Sequence, residues 1–203
     1  MEERIEIPKT DLLAAYNDAE EGGKALLEKL YGKAVFMPAD IRDRIKTFED
    51  ALHELNTRAT DGDETAGILL ADYESNADNI KSPQTLAYMK LTIVTYALNE
   101  GWEPQFTTDE YRYYPWFELF TQNEIDEMDE DARGRVLGRS LSGANALAGV
   151  AFSLANYAST SSNTNFGARL CFFKRELAEY AGKQFLDIWA DFMFRPAEKK
   201  TER

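Results

Sequence analysis

Residues 82–102, SPQTLAYMKLTIVTYALNEGW, predict the element around which the fold is built. Ser82 is a typical N-cap, Pro83 fits the first helical position, and Gly101 fits the left-handed position that ends a helix. Two apolar stripes lie between these ends, one formed by Leu86, Met89, Ile93 and Tyr96 and the other by Leu91, Val94 and Leu98. A helix with two apolar stripes has neighbours on two sides, so the stretch predicts a central buried helix.

The chain before this stretch shows further helical patterns. Two short apolar faces follow Thr10, and the interruption by Gly22 and Gly23 predicts a helical hairpin. One stripe with spacings of four and three predicts a third helix, through Ile41, Ile45, Phe48, Leu52 and Leu55. Residues 57–63, TRATDGD, have the composition of a loop.

The chain after Gly101 has a different character. Residues 102–120 are dense in aromatics and interrupted by proline, which favours short strands and irregular packed chain. The acidic run EIDEMDED at 124–131 predicts the start of a helix that continues to about Arg139. The last apolar face predicts an amphipathic helix that docks on the rest of the protein, through Leu177, Ala181, Phe185, Ile188, Trp189 and Phe192.

These patterns together predict an α+β protein. Residues 1–100 form a helical region, and residues 101–203 form a mixed region, either as a separate domain or as part of one continuous domain. In the mixed region we expect a central strand around Leu170 to Phe173, with the last helix packed across it.

Composition excludes several classes of function. The 203 residues carry a net charge of −13, which disfavours binding to nucleic acid polymers and to anionic membranes. No apolar run reaches the roughly 18 residues needed to span a bilayer, and the first residues lack the pattern of a signal peptide. We therefore expect the protein to be kept in the cytoplasm.

The residue types that carry most catalytic chemistry are scarce. His53 is the only histidine and has no partner for a catalytic triad or zinc site, while Cys171, the only cysteine, lies in an apolar run typical of a buried thiol. The acidic strings at 61–64 and 126–131 lack the ligand spacing of a helix-loop-helix calcium site and favour solvated surface. The pattern predicts a protein that is not an enzyme and has no cofactor or metal.

An aromatic group at 111–117 has two interpretations. Tyr111, Tyr113, Tyr114, Trp116 and Phe117 could form a stacking surface for sugars or bases, or they could pack around Pro115. We favour packing because aromatic side chains dominate buried area.

The most unusual feature of composition is a segment without charge. Residues 140–168 contain 29 positions with no charged side chain, rich in Gly, Ala, Ser and Asn. Tyr, Ser, Asn and Gly are the residues of adaptable binding surfaces, because tyrosine supplies contact area and the others supply flexible hydrogen bonds. The segment is therefore a ligand-binding surface, a solvent-exposed loop without a ligand, or a set of small residues packed between strands.

Several strings resemble a family of uncharacterised proteins found in phages and prophages of gut Bacteroidetes, including crAss-like phages. They cover most of the chain: IEIPK at 5–9, DIRDRIKTFEDA at 40–51, ALNEGWEP at 97–104, YYPWF at 113–117, GARLCF at 167–172 and ELAEYAGKQF at 176–185. The resemblance implies a phage origin and no particular activity.

Residues 140–173 also resemble the end of C-type-lectin-like domains of the formylglycine-generating-enzyme type, whose variable versions serve as phage receptor-binding tips. A polar stretch there leads into a Gly-x-Arg-Leu strand, as at Gly167 to Leu170. The resemblance implies that six residues face a ligand, namely Asn156, Tyr157, Ser159, Ser161, Asn163 and Asn165, and that Arg169 is scaffold. The cysteine pair of the enzyme is missing, so its copper-dependent oxidation is not implied.

We therefore predict a C-type-lectin-like C-terminal half closed by the amphipathic helix, in a non-enzymatic phage binding protein that is virion-associated or receptor-binding. The partner would be a host protein, a glycan or a small molecule, and self-association is left open. The alternative is an intracellular accessory or anti-defence protein that sequesters a host protein or a signalling nucleotide. Sequestration of a nucleotide needs a basic pocket, for which Arg169, Lys174 and Arg175 are the nearest candidates, and Arg169 is counted among the ligand-binding residues.

Overall fold

The computed structural model describes residues 6–32, 35–105, 107, 109–138, 147–158 and 169–193, and the structural statements below concern these residues. The chain forms two compact units, Met1–Arg44 and Ile45–Arg203. Helices occupy the N-terminal half and the strands of the described chain begin at Arg112, which confirms the predicted α+β class. The division into compact units falls at a different point from the predicted change of structure near residue 100.

The first unit contains the predicted helical hairpin. Its helices are α1 (Lys9–Asp18), α2 (Glu21–Tyr31) and α3 (Ile41–Arg44). The Tyr16 hydroxyl donates a hydrogen bond of 2.5 Å to Glu28 Oε1, and the Tyr16 ring stacks on Phe36 at 4.3 Å. The helix break falls before Glu21, so Gly22 and Gly23 lie in the first turn of α2 rather than in the interruption.

The second unit begins with a helical layer centred on α6. Its helices are α4 (Phe48–Thr60), α5 (Glu64–Asn76), a short 3₁₀ turn (Ala77–Asn79) and α6 (Pro83–Leu98). The Ser82 hydroxyl caps α6 by accepting from the N–H of Thr85 at 3.3 Å, and Gly101 has a φ of 80°. Because α6 contacts α4, α5 and the later helix α10 (Leu186–Met193), the prediction of a central buried helix is confirmed.

Two predicted boundaries in this layer are wrong. The stripe from Ile41 to Leu55 does not form one helix, because Thr47 and Asp50 form a capping box that starts α4 afresh at Phe48. The segment 57–63 is not a loop throughout, because α4 continues to Thr60. Helix α5 was not predicted at all, since its apolar residues do not gather on one side.

The sheet follows the helical layer. Its part of the chain contains β1 (Arg112–Thr121), α7 (Gln122–Glu127), α8 (Glu130–Arg133), β2 (Leu137–Gly138) and β3 (Leu147–Ala158). The strand order is β1-β3-β2 and both pairings are antiparallel. The predicted helix from 124 to 139 is wrong, because the backbone of Met128 is extended and Asp129 caps a separate short helix.

The central strand is β3, so the expectation that Leu170 to Phe173 is central is also wrong. That segment makes one bridge at the outer edge of β1, where Phe172 and Tyr113 exchange two N–H···O bonds of 2.9 Å. In a β-strand, the backbone groups of residues i and i+2 point to the same neighbouring strand. The nitrogen of Pro115 therefore faces the outer edge of β1, as the N–H of Tyr113 does. The missing N–H of proline therefore does not interrupt the ladder between β1 and β3.

The C-terminal apolar face forms two helices rather than one. Helix α9 (Arg175–Gln184) packs on β1 and β3, and α10 follows after a break at Phe185. The contact between α9 and the sheet is close at Gly182, where an added Cβ would lie 2.8 Å from Pro115 Cβ and would overlap the Phe152 ring. Glycine is required there because any larger side chain would push the helix away from the sheet.

The helical layer and the sheet edge meet at Asn99, just after α6. The Asn99 side chain is buried, its Nδ2 donates to the carbonyl oxygen of Cys171 at 2.8 Å, and its Oδ1 accepts from the N–H of Phe173 at 3.3 Å. Since Phe172 between them bridges to β1, one amide side chain connects α6 to the sheet.

Two helical glycines provide a matched test of the α9 contact. Gly182→Ala should lower the free energy of unfolding by about 1–3 kcal/mol, because the new methyl group overpacks the sheet. Gly67→Ala in α5 should instead raise the free energy of unfolding by about 0.5–1 kcal/mol, because alanine is more favourable than glycine inside a helix. The added methyl group fits there, since it would lie 3.9 Å from Ala59 Cβ, an ordinary contact distance. Urea denaturation measures both, and equal effects of the two substitutions would contradict the close packing at Gly182.

Candidate functional site

A cluster of three tyrosines lies at one end of the sheet. Tyr113 on β1 is directly opposite Tyr157 on β3, and Tyr111 precedes Tyr113 by two residues. Tyr157 makes edge-to-face contacts with both others, with ring centroids 5.6 Å from Tyr111 and 6.4 Å from Tyr113. We call these three residues the tyrosine patch.

Much of the tyrosine patch is open to solvent. Tyr111 is 55% exposed and Tyr157 is 46% exposed, while Tyr113 is half-buried. The guanidinium of Arg175 lies 5.9 Å from the Tyr113 ring centroid, and its Nη1 donates to the carbonyl oxygen of Ala155 at 3.1 Å. A cation over an aromatic ring is attracted to the ring face, so Arg175 supports Tyr113 in this position.

Two of the predicted ligand residues lie on β3, on opposite faces of the sheet. Successive residues of a strand point to opposite sides, and Asn156 is opposite Tyr114 whereas Tyr157 is opposite Tyr113. Both side chains are exposed, and Asn156 Oδ1 accepts from the N–H of Tyr157 at 2.9 Å. Only Tyr157 therefore belongs to the tyrosine patch.

The other predicted ligand residues fall into two groups. Ser159, Ser161, Asn163 and Asn165 lie outside the described residues. Arg169 is exposed and lines a cleft with walls from α5, α6 and the chain after α6, none of which includes a member of the tyrosine patch. Lys174 lies 4.8 Å from the ring centroid of Phe173, and Arg175 lies over Tyr113. Arg169, Lys174 and Arg175, the cations predicted for a basic pocket, therefore each lie against a different group.

Trp116 belongs to the opposite face of the sheet from the tyrosine patch. It is 52% exposed and lies across from Leu154, which is also exposed. The prediction that aromatics 111–117 mainly pack around Pro115 fits Tyr114 and Phe117, whereas Tyr111 and Trp116 are exposed. Sequence reasoning missed the pairing of Tyr111 and Tyr113 with Tyr157, because that pairing depends on the register of β1 against β3.

Cys171 is a buried thiol, as predicted. Its side chain is fully buried beside Tyr114, and burial raises the pKa of Cys171 to about 11. Burial likewise raises the pKa of Tyr114 to about 12. Both groups are protonated at neutral pH, so this pair is suited to packing rather than to nucleophilic attack.

The polar strings have structural roles in the described chain. Asp63 of the string at 61–64 caps α5, and Asp129 of the string at 126–131 caps α8. His53 is exposed on α4, as predicted.

Within the described ranges, no three His, Cys, Asp or Glu side chains gather in a way that could hold a metal ion. None of the helices described here has the length and apolarity needed to cross a membrane.

Comparison with family models, with curated proteins and with solved structures found no match to this chain. The resemblances to the phage protein family and to C-type-lectin-like domains stay predictions.

Alkaline titration tests the environment of Cys171. The unfolded chain releases this proton near the ordinary pKa of 9.0, whereas the folded protein holds it until about 11. The folded state therefore binds more protons between these values, and the free energy of unfolding should fall as the pH rises through this range. Cys171→Ala should make the fall between pH 9 and 10 shallower, measured by urea denaturation. The same slope in both proteins would contradict the raised pKa.

Proposed function

We propose that this chain is a non-enzymatic, phage-encoded binding protein and that the tyrosine patch is the described part of its ligand surface. The observation that carries the proposal is the exposed pair Tyr111 and Tyr157, whose rings meet edge to face at 5.6 Å. Aromatic side chains that cluster in the open are typical of interaction sites, because a ligand removes their apolar area from water.

The chemistry of the tyrosine patch favours a neutral glycan. The C–H face of a sugar ring packs on aromatic rings, and its hydroxyl groups need donors and acceptors at the rim. Tyrosine hydroxyls supply both, and Arg175 has further N–H groups beyond the one bonded to Ala155. The net charge of −13 disfavours an acidic polysaccharide, so a neutral sugar fits best.

The position of the patch in the chain also supports a ligand surface. Tyr157 is next to the end of β3, and the predicted ligand residues Ser159, Ser161, Asn163 and Asn165 follow within eight positions. Serine and asparagine next to exposed tyrosine is the composition of adaptable binding surfaces. We propose that these residues extend the tyrosine patch.

The biological setting we propose is a virion-associated or receptor-binding role, with the protein in the virion. The intracellular alternative is sequestration of a host protein or a signalling nucleotide in the host cytoplasm, and its nucleotide form needs Arg169, Lys174 and Arg175 in one basic pocket. Arg175 lies over Tyr113, Lys174 lies beside Phe173 and Arg169 lines a different cleft, an arrangement that disfavours the nucleotide form.

A glycan panel prepared from the surface polysaccharides of the bacterial host tests the proposal. The protein should bind at least one neutral glycan, and Tyr111→Ala and Tyr157→Ala should each weaken that binding about tenfold, since truncating a central aromatic contact typically removes more than 1 kcal/mol. Surface plasmon resonance with immobilised oligosaccharides measures the affinities.

Trp116→Ala is the matched control, because Trp116 on β1 is about as exposed as Tyr111 and Tyr157 but points to the opposite face of the sheet. Its affinity should stay within twofold of the original protein. Absence of glycan binding, or an equal loss with Trp116→Ala, would overturn the assignment of the tyrosine patch. Mass spectrometry of purified virions tests the setting separately, and absence of the protein from virions would exclude the virion-associated role.

A further inference from the structure

A second site is independent of the tyrosine patch. A cleft of about 120 Å³ lies within the second compact unit, between α5, α6 and the chain that follows α6. Its walls are formed by Thr65, Leu69, Thr92, Thr95, Tyr96, Asn99, Trp102, Glu103, Pro104 and Arg169. The lining is mainly apolar with a few polar groups, the composition typical of small-molecule sites.

Most polar side chains around the cleft already have partners. The Tyr96 hydroxyl donates to Asp63 Oδ1 at 2.8 Å, and the Thr92 hydroxyl donates to the carbonyl oxygen of Met89 at 2.7 Å. Asn99 uses both ends of its amide on the Cys171 and Phe173 backbone. These bonds hold the walls in place and leave those groups little capacity for a ligand.

Three groups remain without such partners in the described part of the chain. Thr95 is only 3% exposed, and its hydroxyl has no hydrogen-bond partner among the described residues. Arg169 and Glu103 are exposed, and neither side chain forms an ion pair or hydrogen bond with another described residue. The Thr95 oxygen is closed to solvent and therefore to a ligand, so Arg169 and Glu103 are the two groups of this set that a ligand can contact.

The two charged groups have opposite signs, which restricts the ligand. A dianion such as a phosphate ester would gain from Arg169 and lose at Glu103, and an amine would do the reverse. A zwitterion can satisfy both, because its carboxylate pairs with the guanidinium and its ammonium pairs with Glu103.

The apolar lining and the volume define the rest of the ligand. Leu69, Trp102 and Pro104 offer an apolar surface for a side chain. The volume is somewhat below the roughly 150 Å³ of a protein cavity that binds benzene. The space therefore suits an aliphatic or small aromatic group and is too small for a nucleotide.

We propose that this cleft binds a free α-amino acid with an apolar side chain. Arg169 binds the carboxylate, Glu103 binds the ammonium group, and the side chain enters against Leu69 and Trp102.

Calorimetry with three probes of one size tests the ligand class. L-Leucine carries both charges, 4-methylpentanoate lacks the ammonium group, and isopentylamine lacks the carboxylate. Leucine should bind at least about tenfold more tightly than either analogue. Equal affinities for leucine and 4-methylpentanoate, or no binding of leucine at millimolar concentration, would overturn the proposal.

Variants assign the individual roles. Arg169→Ala should weaken leucine binding about tenfold or more, whereas Glu103→Gln should weaken leucine binding and leave 4-methylpentanoate binding unchanged. Arg135→Ala removes an exposed arginine on the short segment between α8 and β2 and should have no effect. Unchanged leucine affinity in Arg169→Ala would contradict the site.

Tyr157→Ala should leave leucine binding unchanged, which distinguishes failure of this site from failure of the tyrosine patch.

Discussion

The buried amide of Asn99 is the interaction on which the rest of the second unit depends. It follows α6 and bonds at once to the carbonyl oxygen of Cys171 and the N–H of Phe173. Without it, the buried carbonyl of Cys171 and the partly buried N–H of Phe173 would lose this partner, which is unfavourable in a low-dielectric interior. Because Phe172 lies between them and bridges to Tyr113, the amide fixes where the edge of the sheet lies relative to the helical layer.

Both proposed sites depend on this junction. The bridge at Tyr113 holds the start of β1, and the antiparallel register then places Tyr113 opposite Tyr157. On the other side, α6 carries Thr95 and Tyr96, and the chain after it carries Trp102 to Pro104 into the cleft. The close approach of α9 at Gly182 supports the sheet on the face that carries the tyrosine patch. Neither site needs a residue that takes part in bond-making chemistry, which agrees with the scarcity of histidine and cysteine in the chain.

Elements marked by residues close together in the sequence could be predicted, whereas elements that depend on contacts between distant residues could not. The ends of α6 were predicted because Ser82, Pro83 and Gly101 act within one turn of the helix. The capping box at Thr47 is equally local, but it was hidden beneath an apolar stripe that continues across it. The central position of β3 was not predicted, because a strand of small uncharged residues becomes central only through its partners β1 and β2 and the helices packed on it.

The same distinction applies to the sites. The lectin-like resemblance led to the prediction of Tyr157 as a ligand residue, and composition favoured the uncharged segment that contains it. Tyr111 and Tyr113 could join it only once the register of the sheet was known. The opposite orientations of Asn156 and Tyr157 follow from strand geometry, which a prediction of a loop could not include. Thr95 looked like an ordinary position in a buried helix, and its lack of a partner becomes visible only in three dimensions.

The most direct test of the account is the stability of Asn99→Ala against Asn56→Ala, an exposed asparagine on α4. Urea denaturation followed by circular dichroism gives the free energy of unfolding of each variant. We predict that Asn99→Ala loses about 1–3 kcal/mol, because one buried and one partly buried backbone group lose their partner, while Asn56→Ala changes by less than about 0.5 kcal/mol. Equal stabilities of the two variants would contradict the central role of Asn99.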